Sequence, residues 1–300
     1  MKKREIKILN VKIDQMSKVA TIASLAVLLG ASAMADTDIV QTDIPTKIED
    51  RMDADAETAK DDGLADMSDP LAVFSMAGVG VTNRGINLKL AKSYDTGSPD
   101  KMAMNLIEVK GIFSDTLGWE DYSTNPFKDP TDGVDSIRVR NLSVNPNTGT
   151  GAQIDLTYDL NNEAGALSYS ILQALPAWGK FNLFPLAGAG LAVANNALQD
   201  DGTIASGYSV PGVFATVGMY GKYTVTDKIW LNYNPIWNTT LSGSDLYKDH
   251  GFFGHSSVLL HEAIISYQIN PRTNIRYFAN WNQYLDISNG DHRIEMNYQF

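Results

Sequence analysis

Cysteine is absent from the 300 residues, so neither a disulfide framework nor a thiolate-held metal centre is available to the chain. Long apolar runs are missing as well. A helix that crosses a bilayer needs about 20 predominantly apolar residues, and the most apolar stretch, Val19 to Leu29, is too short. Histidine occurs 4 times, and 24 basic residues stand against 35 acidic ones, a formal charge of −11. No basic patch with interleaved aromatics offsets that charge, which excludes nucleic acid as a partner because its phosphates would be repelled. Aliphatic residues are diluted by Gly, Asn, Asp, Ser, Thr and Tyr to a mean hydropathy of −0.17, which excludes a bundle of membrane helices.

What is present begins with a basic start, Lys2, Lys3, Arg4 and Lys7, followed by the apolar run and by Ala31-Ser32-Ala33-Met34-Ala35. This reads as a secretory signal peptide over 1–35 with an A-x-A cleavage site at Ala33 and Ala35. The leader before Met16 is long, so translation starts at either Met1 or Met16. Residues 1–35 hold six basic side chains against two acidic ones, and without them the chain carries −15. From Asp36 to Pro70 the chain is rich in acidic residues and holds no aromatic, the composition of a disordered acidic linker. Ile48, Met52, Ala56 and Ala59 fall at helical spacing within it, and the alternative is a short helix that plugs a barrel or docks a periplasmic partner.

From Leu71 onward the hydrophobic period is two, so the remainder reads as all-β. The final strand shows this best, with Ile294, Met296, Tyr298 and Phe300 on one face and Arg293, Glu295, Asn297 and Gln299 on the other. Similar writing recurs at Ile275 to Asn282, Ile229 to Asn238 and Gln153 to Leu160. A soluble sandwich also alternates. Two features favour a membrane. Aromatics cluster near strand ends (Tyr158, Tyr223, Tyr233, Trp237, Tyr267, Trp281, Tyr298), as interfacial girdles require. Tight links at Asn270 to Thr273 and Thr226 to Lys228 alternate with long polar ones at Thr239 to Ser256 and Ala197 to Ser206, matching short periplasmic turns and longer outer loops.

The signal peptide together with the C-terminal Ile294-Glu295-Met296-Asn297-Tyr298-Gln299-Phe300 resembles the insertion signal of Gram-negative outer-membrane β-barrel proteins, a porin-like class. The resemblance implies localisation to the bacterial outer membrane and contact with its lipid and lipopolysaccharide. It also implies that Ile294, Met296, Tyr298 and Phe300 form an assembly signal read by the barrel assembly machinery.

The predicted fold is a transmembrane antiparallel up-and-down β-barrel over 71–300. Its strands fall near Leu71–Val79, Ile86–Ser93, Met102–Phe113, Ser136–Val144, Gln153–Leu160, Ala166–Leu175, Asn182–Ala194, Gly212–Tyr223, Lys228–Trp237, Val258–Ile269, Asn274–Asn282 and His292–Phe300. That is about 12 strands, with about 10 as the alternative if the first hairpin does not span. Pro185, Pro211 and Pro235 interrupt the pattern and mark bulges or strand ends.

No catalytic residue, metal site or cofactor is assigned, and the chain reads as no enzyme. His261 is the only histidine well inside a strand, and its parity faces lipid; no G-x-S-x-G elbow accompanies it. Asp245, Asp249, His250 and His255 share one outer loop without a fixed metal-ligand spacing. Parity directs Lys89, Glu108, Lys110, Arg138, Arg140, Asp155, Asp159, Lys222, Glu262, Arg276, Arg293 and Glu295 into the lumen. The expectation is therefore a narrow porin-like channel for small polar or charged solutes, monomeric by default. Its rivals are a closed structural barrel that binds partners through its outer loops, and a lipid-active enzyme using His261.

Overall fold

A computed structural model of the chain describes residues 64–117 and 133–300. The predicted signal peptide with Ala33 and Ala35, the two candidate start methionines, the helical spacing at Ile48 to Ala59 and most of the loop near Asp115 to Val134 lie outside the described residues.

Alternating side chains drive each strand to show one apolar and one polar face, and the ladder closes on itself so that neither edge is left unpaired. The strands are β1 (Met76–Thr82), β2 (Gly85–Asp95), β3 (Met102–Ile112), β4 (Ser136–Asn145), β5 (Thr150–Asp159), β6 (Ala164–Gln173), β7 (Phe181–Asn195) and β8 (Gly212–Thr226). They continue as β9, in two segments Ile229–Tyr233 and Ile236–Gly243, then β10 (Ser257–Asn270), β11 (Thr273–Asn282) and β12 (Asp291–Gln299). Each pairs antiparallel with its sequence neighbours, and β1 pairs with β12 from Met76↔Gln299 to Thr82↔Arg293, closing a twelve-strand barrel. The ten-strand alternative is excluded, because β1 and β2 are full members of the wall. A two-residue strand, Tyr208–Ser209, adds a short ladder to the end of β7.

The outward face carries Val79, Val81, Leu88, Leu90, Ile171, Val217, Ile265, Ile294 and Met296, all exposed. The inward face carries buried Asn87, Glu108, Lys222, Asn232, Arg293, Glu295 and Asn297. Water would reverse this arrangement. A closed barrel with an apolar belt outside and polar side chains inside is stable only in lipid, and an even strand count with both ends of the barrel domain on one side is the form outer-membrane barrels take. The protein is an outer-membrane β-barrel. Among the described residues no helix is long and apolar enough to cross a membrane.

Aromatics sit outside at both ends of the belt. At the periplasmic end Trp178 meets Phe181 and Phe181 meets Tyr223, at 5.9 and 4.6 Å between ring centres. At the outer end Tyr158 and Tyr208 share a hydroxyl hydrogen bond of 2.8 Å. Pro235 lies in the break between the two segments of β9, where its carbonyl accepts from Met219 N–H at 3.0 Å and the register can resume. Pro185 stays within the β7 ladder opposite Met219, and Pro211 precedes β8.

Two predicted boundaries move by five residues or more. The ninth strand, expected to end at Trp237, runs on to Gly243. The first strand was expected from Leu71 but starts at Met76. Leu71 and Val73 instead join a buried apolar cluster with Leu142, Val144, Leu172, Phe184 and Leu186. Those five belong to the inward faces of β4, β6 and β7, so the chain enters the barrel before it becomes wall.

Among the described residues two short α-helices decorate the outer loops: α1 (Ser114–Leu117) and α2 (Asp245–His250). The carboxylate of Asp200, in the β7–β8 loop, accepts the backbone N–H groups of Asp245 and Leu246 at 2.9 and 2.8 Å. One loop therefore caps the helix of the other.

Candidate functional site in the barrel lumen

The inner wall is built by register. Gly80 on β1 lies opposite Glu295 on one side and Asn87 on the other, and Gly78 lies between Asn297 and Lys89. Neither glycine has a side chain to fill the space over β1. A Cβ on Gly78 would stand 2.4 Å from the Asn297 side-chain oxygen, and one on Gly80 3.2 Å from Arg293 Cδ. Long side chains from the flanking strands therefore cross above β1 and meet.

Lys89 on β2 donates to Glu295 on β12 at 2.5 Å. Arg293 on β12 reaches Glu108 on β3 at 2.6 Å, and its Nε lies 3.4 Å from Glu295. Lys110 stands 3.7 Å from the same Glu108. Phe278, inward on β11, floors this cluster: the guanidinium carbons of Arg293 and Arg276 and the ammonium of Lys89 lie 4.0, 4.9 and 5.7 Å from its ring centre. An aromatic face so placed favours cations while presenting no acceptor that would compete for their hydrogen bonds.

Farther round the wall Arg138 grips Asp155 in a two-pronged contact whose Nε to Oδ1 arm is 2.8 Å. Gln153 donates to the same carboxylate, and the Tyr220 hydroxyl donates to Gln153. Arg276 donates to Ser266 at 3.2 Å and to Asn232 at 3.5 Å. Glu262 accepts from the Asn234 amide at 2.7 Å. The buried Nε of Arg140, like that of Arg293, makes no hydrogen bond. These groups surround a cavity of about 480 Å³ lined by, among others, Lys110, Arg138, Arg140, Glu262, Arg276 and Asp291.

Of the twelve residues assigned to the lumen by parity, eight line this cavity, and Asp155 and Glu295 join them through ion pairs with Arg138 and Lys89. Lys89, Glu108, Lys110, Arg293 and Glu295 form one connected cluster, Arg138 and Asp155 a second, while Arg140, Glu262 and Arg276 face the cavity separately. Two stand apart. Asp159, at the outer end of β5, turns back to accept the N–H groups of Asn161 and Asn162. Lys222 lies at the periplasmic mouth, where Asp66 approaches at 3.4 Å. Alternation placed Phe278 on the inward parity but gave no sign of its stacking role. Asp66 carried no signal, since it belongs to the acidic stretch ahead of the strands.

His261 faces outward, stacks on Trp281 at 5.0 Å and hydrogen-bonds Tyr233 at 2.8 Å. In the β9–β10 loop, His250 contacts the Gly254 carbonyl, His255 stacks on Tyr284, and Asp245 pairs with Lys248. Among the described residues no three His, Asp or Glu side chains converge as a metal site.

No protein-family model matches the sequence, and no curated protein matches it. Several solved structures are similar in architecture. The NanC porin shares 9% identity at a TM-score of 0.47, covering 75% of this chain and 100% of its own. The KdgM porin, solved in complex with disordered oligogalacturonate, shares 9% at 0.42, covering 76% and 99%. The transport unit of the autotransporter AIDA-I from Escherichia coli shares 12% at 0.40, covering 85% and 100%. The barrel assignment rests on the chain's own closed ladder and its outward apolar belt.

Proposed function

We propose that this protein is a narrow outer-membrane channel for small polar or charged solutes, monomeric and without enzymatic chemistry. The observation that carries the reading is the cavity of about 480 Å³ inside the wall, bordered by charged side chains of both signs, with Arg140 facing it and its Nε unpaired. A purely structural barrel of small bore fills its interior with side chains. Charged side chains around a narrow aqueous space select solutes by charge and hydrogen bonding. The twelve parity-assigned residues are the proposed pore lining, with Arg138, Arg140 and Arg276 among those that border the cavity. Outer-membrane lipid, lipopolysaccharide included, would contact the apolar belt, and the barrel assembly machinery would read Ile294, Met296, Tyr298 and Phe300 during insertion.

A closed structural barrel is the second reading, and the ion pairs across β12, β1, β2 and β3 favour it because they brace the wall from within. Planar-bilayer recording separates the two. Purified, folded protein should give discrete current steps, and their complete absence would overturn the channel.

A further inference from the structure

Residues 64–75 lie against inward-facing side chains on opposite sides of the barrel. The Ala65 carbonyl accepts from Gln299 on β12 at 3.0 Å, and Asp66 meets Lys222 on β8. Met67, buried, receives the Gln268 and Asn274 amides of β10 and β11 on its sulfur at 3.5 and 3.7 Å. Leu71 and Val73 pack into Leu142, Val144, Leu172, Phe184 and Leu186 from β4, β6 and β7. Phe74 packs on Met76, Ala91 and Leu106, and Ser75 hydrogen-bonds Ser93 on β2 at 3.1 Å. A segment that touches β12, β8, β10, β11, β4, β6, β7 and β2 within eleven residues crosses the lumen.

We infer that residues 64–75 are a built-in plug that closes the periplasmic mouth and must move before solute can pass. Apolar side chains are out of place on the inner wall of an aqueous channel. Five of them gathered at one level, with Leu71 and Val73 buried among them, make a seat that has a use only when the segment occupies it. The same segment supplies Met67, Ser68, Asp69, Pro70, Ala72 and Phe74 to the cavity lining, so the cavity ends on it at the periplasmic side. The latch is polar: among the described residues the Asp66–Lys222 ion pair at 3.4 Å, the Gln299 amide on the Ala65 carbonyl and two amides on the Met67 sulfur hold its upstream end. Such a contact set releases as a unit at lower cost than the ladder around it.

This inference extends the channel reading, and its test is chosen so that the two can fail separately. In planar bilayers Leu71→Asp/Val73→Asp should raise the open probability or the conductance by about twofold or more, because a carboxylate cannot stay in the apolar seat. Asp66→Asn, which leaves the seat intact, should give a smaller change in the same direction. Current equal to wild type in both variants would overturn the plug and leave the channel standing. A second measurement does not depend on current. Since the chain has no cysteine, Asn274→Cys places one thiol behind Met67. Its modification by a charged methanethiosulfonate reagent in the folded protein should be about tenfold faster when combined with L71D/V73D, the mark of a local opening. Equal rates in the two backgrounds would overturn the plug even if no variant conducts.

Discussion

Arg293 and Glu108 meet at 2.6 Å although β1 and β2 separate their strands. The contact exists because the residue of β1 beneath it is Gly80, and because both side chains are almost fully buried, at 5% and 2% exposure. Removing one partner of such a pair leaves an uncompensated buried charge, a loss of about 3–5 kcal/mol. Glu108→Gln should therefore destabilise the folded barrel strongly in urea unfolding. The double variant Glu108→Leu/Arg293→Met should cost less than Glu108→Gln alone. Equal losses would mean that Lys110 and Glu295 already carry the charge balance.

The outward belt is tested by a pair of arginine substitutions. Leu90 faces out and is 56% exposed, so Leu90→Arg should cost about 2–4 kcal/mol if that face lies in the bilayer. Thr157, inward on β5 opposite Arg138 and exposed, should accept arginine at a smaller cost, about 0.2–1 kcal/mol of repulsion from Arg138 across the strands. Folding into lipid vesicles over a denaturant series measures both. The opposite order would turn the barrel inside out.

These two tests also mark what the sequence made legible. Leu90 and Thr157 could be assigned to faces from alternation alone, and the count of twelve followed from the same period because each strand is written polar in and apolar out. The apolar inward residues of β4, β6 and β7 broke that code. Leu142 and Val144 continue the inward parity of Arg138 and Arg140, yet they serve Leu71 and Val73, 71 residues upstream, and no local pattern announces such a partner. Leu71 to Phe74 misled for the same reason, since apolar residues bound for a lumen seat look like the start of a strand. Gly78 and Gly80 were equally silent: their importance lies in the side chains that cross above them.

Arg140 gives the channel reading a charge-specific test. Its Nε is buried without a hydrogen bond, so its charge is less compensated than that of Arg138, which grips Asp155. Arg140→Gln, which removes the charge without setting a carboxylate opposite Asp155, should shift the reversal potential under a salt gradient toward cation preference, with conductance retained. Arg138→Glu should instead impair folding, because it replaces the two-pronged grip on Asp155 with a like charge. A reversal potential unchanged by Arg140→Gln would remove that residue from the conduction path.

The outer surface should respond to acid through Asp200. The N–H groups of Leu246 and Asp245 hold its carboxyl below the ordinary value of 3.8. A depressed folded-state value means that the contact contributes fully above 3.8 and is lost as pH falls through the lower folded-state value. Amide exchange at Leu246 and Asp245, corrected for intrinsic rates, should show protection near neutrality that fades in strong acid. Asp200→Ala should remove the difference. Protection that is flat with pH in the wild type would show that α2 is held by Tyr247 packing instead.

Phe300 closes the barrel in a different sense. Its N–H donates to the Ser75 carbonyl at 3.1 Å, and its ring meets Tyr298 edge-on at 5.8 Å. The ring itself is 64% exposed on the outward face, so it adds little packing to the finished wall, while its backbone ties the last strand to the end of the plug segment. Phe300→Ala keeps that backbone bond and removes only the ring. If the ring serves recognition during insertion, the variant should reach the outer membrane in reduced amount, yet have the same urea midpoint as wild type once refolded in detergent. A lowered midpoint with normal membrane levels would instead make Phe300 a structural residue of the β12–β1 seam.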